Sequence, residues 1–330
     1  MGHESSSLLL SRCWYWLAVV GAKWGLGRRV VATSRCIALG AATWLVIWAC
    51  GDPAVRTDVN VFLTATEFVV GENRFPFVLM TNEGDRIDQA KIEVRFSVID
   101  GESDRFKQVL TAELHEISSG TPHAHADGSL HMHVDARSYY LVNAVSLDTP
   151  GIWMADLTAT MAEDDPFRAE VAFTVRPDPG ALGLGAIAEP ITHPILADVS
   201  DIRILTTAQN PVVAMYGTTV ADAIGDGMPL VVQFSTPQFC VSRMCGPVYG
   251  EVAALHATYG DRVRFIHIEP FDLDIARTEG RMVRTLPSQV WGLETEPWVF
   301  VIDATGMVAA RFEGIVGARE IETAIRGVLD

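Results

Sequence analysis

From Asn60 to Val175 apolar residues recur at every second position, whereas beyond about residue 196 solid apolar runs alternate with helical spacing. One layer architecture does not accommodate both rhythms, because the first is the period of half-buried strands and the second that of strands covered on both faces by helices. Ile92, Val94, Phe96 and Val98 point one way, as do Trp153, Ala155, Leu157 and Ala159, and then Val171, Phe173 and Val175, with Asp148-Thr149-Pro150-Gly151 as a turn between runs. Between the two regimes, Arg176-Pro-Asp-Pro-Gly180 and a stretch rich in Gly, Ala and Pro read as a linker. At 330 residues the chain exceeds one ordinary core. The expected division is a leader at 1–49, an all-β domain at 52–176, a linker at 177–195 and an α/β domain at 196–330.

Several strands without long amphipathic helices predict an immunoglobulin-like antiparallel sandwich for 52–176, although it has no internal cysteine pair. In the C-terminal part, strands are expected over Pro229–Ser235, Arg262–Ile268, Trp298–Asp303 and Val308–Phe312. Val248, Val252, Leu255 and Tyr259 fall at helical spacing after the first strand, and Ile321, Ala324, Ile325 and Val328 form a closing amphipathic helix. The order β-α-β followed by β-β-α is an α/β layer fold.

The first 49 residues hold Arg12, Lys23, Arg28, Arg29 and Arg35 against the single acid Glu4, followed by an apolar run from Cys36 to Ala49. That run is too short to span a membrane comfortably as a helix, and the pattern is that of an export signal. Ile47-Trp48-Ala49-Cys50-Gly51 resembles the bacterial lipobox, which implies Cys50 as a lipidated first mature residue and anchorage on the outer face of the cytoplasmic membrane in the cell envelope; an uncleaved anchor is the alternative. Without residues 1–49 the chain carries 20 basic and 40 acidic residues, a formal charge of −20 that argues against nucleic acid and anionic lipid surfaces as partners. With Cys13 and Cys36 in the leader and Cys50 lipidated, Cys240 and Cys245 are the thiols left in the exported body.

Phe234-Ser-Thr-Pro-Gln-Phe-Cys240-Val-Ser-Arg-Met-Cys245-Gly246-Pro247 falls between a predicted strand and helix. Together with Glu296-Pro297-Trp298, Asp303-Ala-Thr-Gly306 and Arg311-Phe-Glu-Gly314, it resembles the thioredoxin family over roughly 130 residues. The resemblance implies a thioredoxin-like fold, thiol–disulfide exchange on protein thiols and disulfides, no cofactor for that reaction, and a cis-proline, Pro297, facing the thiols. A sulfur at a helix start is the better nucleophile, because helix N-terminal dipoles favour the thiolate. Arg243 would add positive charge or sit solvated. No nicotinamide, flavin or nucleotide motif accompanies these residues.

The chain departs from that family in its spacing, with four residues rather than two between the cysteines and Val248 where a second cysteine would follow Cys245-Gly-Pro. Five steps along an ideal helix leave side chains about 140° apart and about 7.5 Å along the axis, a poor fit to a disulfide. Cys240 therefore lies outside the regular helix, or oxidation unwinds its first turn. Either sulfur can be the nucleophile on this evidence, with the more exposed Cys240 favoured. The same spacing occurs in some peroxiredoxins, which makes thiol peroxidase a lesser alternative; those enzymes place a threonine three positions ahead of the nucleophile, whereas here Pro237 holds that position and Thr236 lies one further back. A structural disulfide is the bland alternative, though so short a loop removes little unfolded-chain entropy.

A copper-binding chaperone is the second functional class, since paired thiolates are soft ligands for Cu(I) and His267 is a candidate third ligand. His123, His125, His131 and His133 form two His-x-His units around Asp127, with Met132 between the last two, a set suited to copper or zinc across a hairpin. A polar exposed loop is the other reading of that cluster. A third functional class is a binding module whose α/β domain is chemically inert.

Overall fold

The structure is a computed structural model and describes residues 58–330 apart from 102, 118–120, 125–129, 134–136 and 162–165. Residues 1–49, expected as a leader, and Cys50 lie outside the described residues, as do His125 and Asp127. So do the side chains of the other three histidines and of Met132. No helix among the described residues is long and apolar enough to cross a membrane.

Strands β1 (Val59–Leu63), β2 (Phe68–Val69), β3 (Gly71–Thr81), β4 (Lys91–Asp100) and β5 (Ser103–Ile117) open the chain. They are followed by β6 (Thr121–Ala124), β7 (Leu130–His133), β8 (Arg137–Leu147), β9 (Gly151–Thr160) and β10 (Phe167–Arg176). Eight of them form one sheet in the order β1-β3-β8-β5-β4-β9-β10-β2, antiparallel except for the short β10–β2 pair. The all-β reading of this region stands. Its division into two sheets of immunoglobulin type does not describe the pairing, because β5 is continuous through both halves. Residues 103–112 of β5 pair with β4, and residues 113–117 pair with β8. The sheet curls until Phe75 of β3 lies 5.1 Å, ring to ring, from Phe173 of β10. Phe68, Phe96 and Trp153 fill the same core. Alternation along β9 shows why: Trp153, Ala155, Leu157 and Ala159 are all buried, and their neighbours are more exposed. Strands β6 and β7 pair separately, with His123 opposite His131 and Thr121 opposite His133.

The α/β part contains α1 (Val220–Ile224), β11 (Leu230–Phe234), α2 (Cys245–Tyr259), β12 (Arg264–Ile268) and α3 (Leu273–Glu279). Then come α4 (Leu286–Val290), β13 (Trp298–Ile302), β14 (Val308–Glu313) and α5 (Ala318–Leu329). The sheet order is β12-β11-β13-β14, with β11 parallel to β12 and antiparallel to β13, and β14 antiparallel to β13. This is a thioredoxin-like arrangement. Its central strands are buried at every residue because both faces are covered. Val231, Val299 and Val301 pack under α2 and α5, while Val232, Phe300 and Ile302 face α1, Trp291 and Leu293.

Residues 177–195, expected as a linker, are partly core. Ala181, Ala188 and Ile191 are buried in the second of these layers. Gly185 N–H donates to Val308 O (2.9 Å), and Val308 N–H to Ala186 O (2.9 Å), so the segment extends the sheet beyond β14. The curled sheet and the α/β part pack as one compact unit. Arg74 meets Glu320 at 2.7 Å, Glu67 meets Arg311 at 2.7 Å, and Tyr139 O–H accepts from Gly317 N–H at 3.0 Å while donating to Glu320. Ile117, Tyr139 and Leu141 from the curled sheet cluster with Ile315, and Met244 packs against them.

Candidate functional site

The chain leaves β11 at Phe234, runs through Ser235–Met244 as a loop, and enters α2 at Cys245, its first helical residue. Cys240 therefore lies outside the helix, the first of the two geometries expected from the spacing. Its N–H donates to Thr236 O (3.0 Å), and Arg243 N–H reaches back to Cys240 O (3.4 Å) in a tight turn that puts Arg243 at φ +59°. Val241 at the tip is 92% exposed. Met244, wedged against the curled sheet, fixes the approach to the helix.

Both sulfurs are free thiols; Cys240 is half-buried and Cys245 fully buried. Cys245 N–H donates to Cys240 Sγ at 3.4 Å, and Ser242 Oγ lies 3.1 Å from the same sulfur. The Cys240 thiol is lowered to about 5, chiefly by the neighbouring Cys245 thiol and then by Ser242 and the amides of Cys245 and Met244, against the opposing effect of burial. These are hydrogen bonds at the positive end of a helix, so they stabilise the charged sulfur, and the Arg243 charge is not among the leading causes. Burial pushes the Cys245 thiol far up, with the Cys240 sulfur adding to the effect. The two cysteines thus divide into an accessible thiolate and a protonated sulfur beneath it.

Pro297 follows a cis bond from Glu296, the isomer implied by the family resemblance. The Glu296 carboxyl is raised by burial and by the charge of Cys240, while its ion pair with Arg284 (3.2 Å) opposes both. Arg284 also donates to Glu294 O and stacks over Phe271 at 4.8 Å. The cis-proline loop therefore holds a carboxyl clamped by Arg284 within electrostatic reach of Cys240.

Glu269, just past β12, is a further acid at the site and one the sequence did not single out. It is 5% exposed, and burial raises its carboxyl to about 7 despite donation from Thr207 N–H (2.6 Å) and Thr207 O–H (2.7 Å). Thr236 lies between the two: its backbone lowers the Cys245 thiol and its hydroxyl the Glu269 carboxyl, both against burial. Thr236 Oγ1, Glu269 Oε2 and the Gln233 side-chain amide are buried without a hydrogen bond of good geometry, a costly concentration of polar atoms beneath one loop. Glu269-Pro270 at a strand end was the only signal available, and a buried acid cannot be told from a surface one by residue type alone.

His267 is a satisfied core residue, which removes it as a third metal ligand. Its Nε2–H donates to Ser235 O at 3.0 Å, so Nδ1 accepts from Tyr216 O–H at 2.9 Å. Burial lowers it to about 4. Among the described residues no group of three or more His, Cys, Asp or Glu is arranged to hold a metal ion. Thr236 and Pro237 place no hydroxyl on Cys240 Sγ; the hydroxyl beside that sulfur belongs to Ser242.

No family model and no curated protein matches the chain. Among solved structures, it is similar to a Chlorobium tepidum protein assigned as thiol:disulfide interchange protein DsbE, at 16% identity and a TM-score of 0.27, over 34% of this chain and 86% of that one. A thioredoxin-family thiol:disulfide interchange protein from Chlorobium tepidum TLS gives 17% identity and a TM-score of 0.24 over the same shares. Murine CRIg gives 10% identity and a TM-score of 0.20, over 39% of this chain and all of that one. Likenesses this slight carry no weight; the thioredoxin-like class rests on the strand order and on the thiols between β11 and α2.

Proposed function

We propose that the chain is an exported thiol–disulfide oxidoreductase acting on protein disulfides of the cell envelope. The observation that carries the proposal is the pairing of a half-exposed Cys240 sulfur, hydrogen-bonded at the start of α2, with a fully buried Cys245 beneath it. The Cys240 thiolate attacks one sulfur of a partner disulfide; an S–S bond forms between them, and the partner's other sulfur leaves as a thiolate and takes a proton from water. Cys245 then loses its proton and attacks Cys240 Sγ, closing the internal disulfide and releasing the second partner thiol. The partner gains two electrons and the pair loses two. Glu269, buried beside Thr207 below the Cys240 loop, has a carboxyl that changes state near neutral pH and is suited to take the Cys245 proton.

Insulin reduction driven by dithiothreitol tests this reading. The wild type is expected to accelerate precipitation, and Cys240→Ser to abolish the effect. Full activity in Cys240→Ser overturns the assignment.

A further inference from the structure

We propose that Glu313 is a positioning residue through which the curled sheet sets the geometry of the cis-proline loop; the inference rests on the exchange reading of the thiol site. Glu313 ends β14 opposite Trp298 of β13 and is 7% exposed. A carboxylate has about four acceptor positions, and here four donors use them. Oε2 accepts from Thr66 N–H (2.9 Å) and Glu67 N–H (2.7 Å), both in the loop before β2. Oε1 accepts from Thr66 O–H (2.8 Å) and also from Thr295 O–H (2.6 Å), two residues before Pro297.

A fastening between the two parts of the molecule alone would be complete without the last of these bonds. Thr295 Oγ1 also accepts from Trp298 Nε1–H at 3.1 Å, so its single proton is committed to Glu313. The next residue secures the loop from the other side, as Gly314 N–H donates to Pro297 O at 2.8 Å. Gly314 sits at φ +70°, and a Cβ there would lie 1.6 Å from Thr64 O, so the curled sheet presses directly on this backbone. Between these two holds lies the cis bond from Glu296 to Pro297. A shift of Thr295 therefore moves the docking edge at Pro297.

The side chain of Glu67, whose backbone N–H alone meets Glu313, supplies the control. It joins the same two parts through Arg311 (2.7 Å) and the amides of Gly180 (2.8 Å) and Ala181 (3.0 Å), without touching Thr295. Amide hydrogen exchange of the full chain, followed over residues 294–298, reads the hold on the loop independently of turnover. Thr295→Val and Glu313→Gln are expected to speed exchange there at least tenfold, Thr295→Ser to restore wild-type rates, and Glu67→Gln to leave them within twofold. In insulin reduction, Thr295→Val should raise KM five- to tenfold with kcat within twofold and with the Cys240 alkylation rate unchanged. Unchanged loop exchange in both Thr295→Val and Glu313→Gln, or equal loosening by Glu67→Gln, overturns the proposal. A wild type without insulin turnover would sink the exchange reading, while the loop-exchange comparison would still decide the role of Glu313.

Discussion

The curled sheet and the α/β part bury different chemistry. Around Phe75 the interior is aromatic, with Phe68, Phe77, Phe96, Trp153 and Phe173, and among the described residues there only Ser97 and Ser138 are buried polar side chains. The α/β part buries Gln233, Ser235, Thr236, His267, Glu269 and Ser288 near the junction of β11 and β12, in addition to Glu251 and Glu313. Burying polar atoms opposes folding unless each finds a partner, so an interior that tolerates several incomplete ones marks where chemistry outweighs stability. The curled sheet is accordingly an apolar support, and its effect on the thiols runs through the few contacts that reach them.

The sharpest way to break this contrast is to disable each part separately. Cys240→Ser should lower insulin reduction at least a thousandfold, about 4 kcal/mol in barrier, with a thermal midpoint near that of the reduced wild type. Phe75→Ala should cost about 3–5 kcal/mol of stability by opening a cavity, seen in urea unfolding, yet leave the Cys240 alkylation rate unchanged below the transition. A Phe75→Ala protein whose folded state lost thiol reactivity would show that the sheet core tunes the site directly.

Two pH experiments sharpen the contrast. Glu269 is held protonated in the folded protein where the unfolded chain has already ionised, so its contribution is present below about 4.5 and is lost as pH rises through about 7. Stability should therefore fall by up to about 3 kcal/mol across that window, and Glu269→Gln should flatten the slope. Cys240 shifts the other way: its alkylation rate should climb with pH around a midpoint near 5. Ser242→Ala removes one hydrogen bond to the thiolate and should raise that midpoint by up to about one unit, roughly 1.4 kcal/mol, slowing alkylation at pH 5 and not at pH 8.

The pattern-based reading reached β11–β14, α2 and α5 within a few residues, because strands covered on both faces are continuously apolar and helices of 12 or 15 residues repeat their period several times. It missed α1, α3 and α4, whose five to seven residues complete two turns at most. Strand β5 carries exposed residues through most of its length, so its change of partner from β4 to β8 leaves no trace in residue order. The thiol pair and Pro297 were visible as motifs. Glu269, Ser242 and Glu313 were not, since what distinguishes each is the neighbour it meets after folding, across up to 247 positions of chain for Glu313 and Thr66.

The complete burial of Cys245 has a kinetic consequence under the proposed chemistry. A partner captured on Cys240 is released by a sulfur that already lies beneath the first but is held protonated by burial, so Cys245 must first give up its proton inside the fold. The dwell time of the captured protein is then a first-order property of that proton loss, independent of how much partner surrounds it. The site would carry its own clock, and the groups able to take the Cys245 proton would set its rate.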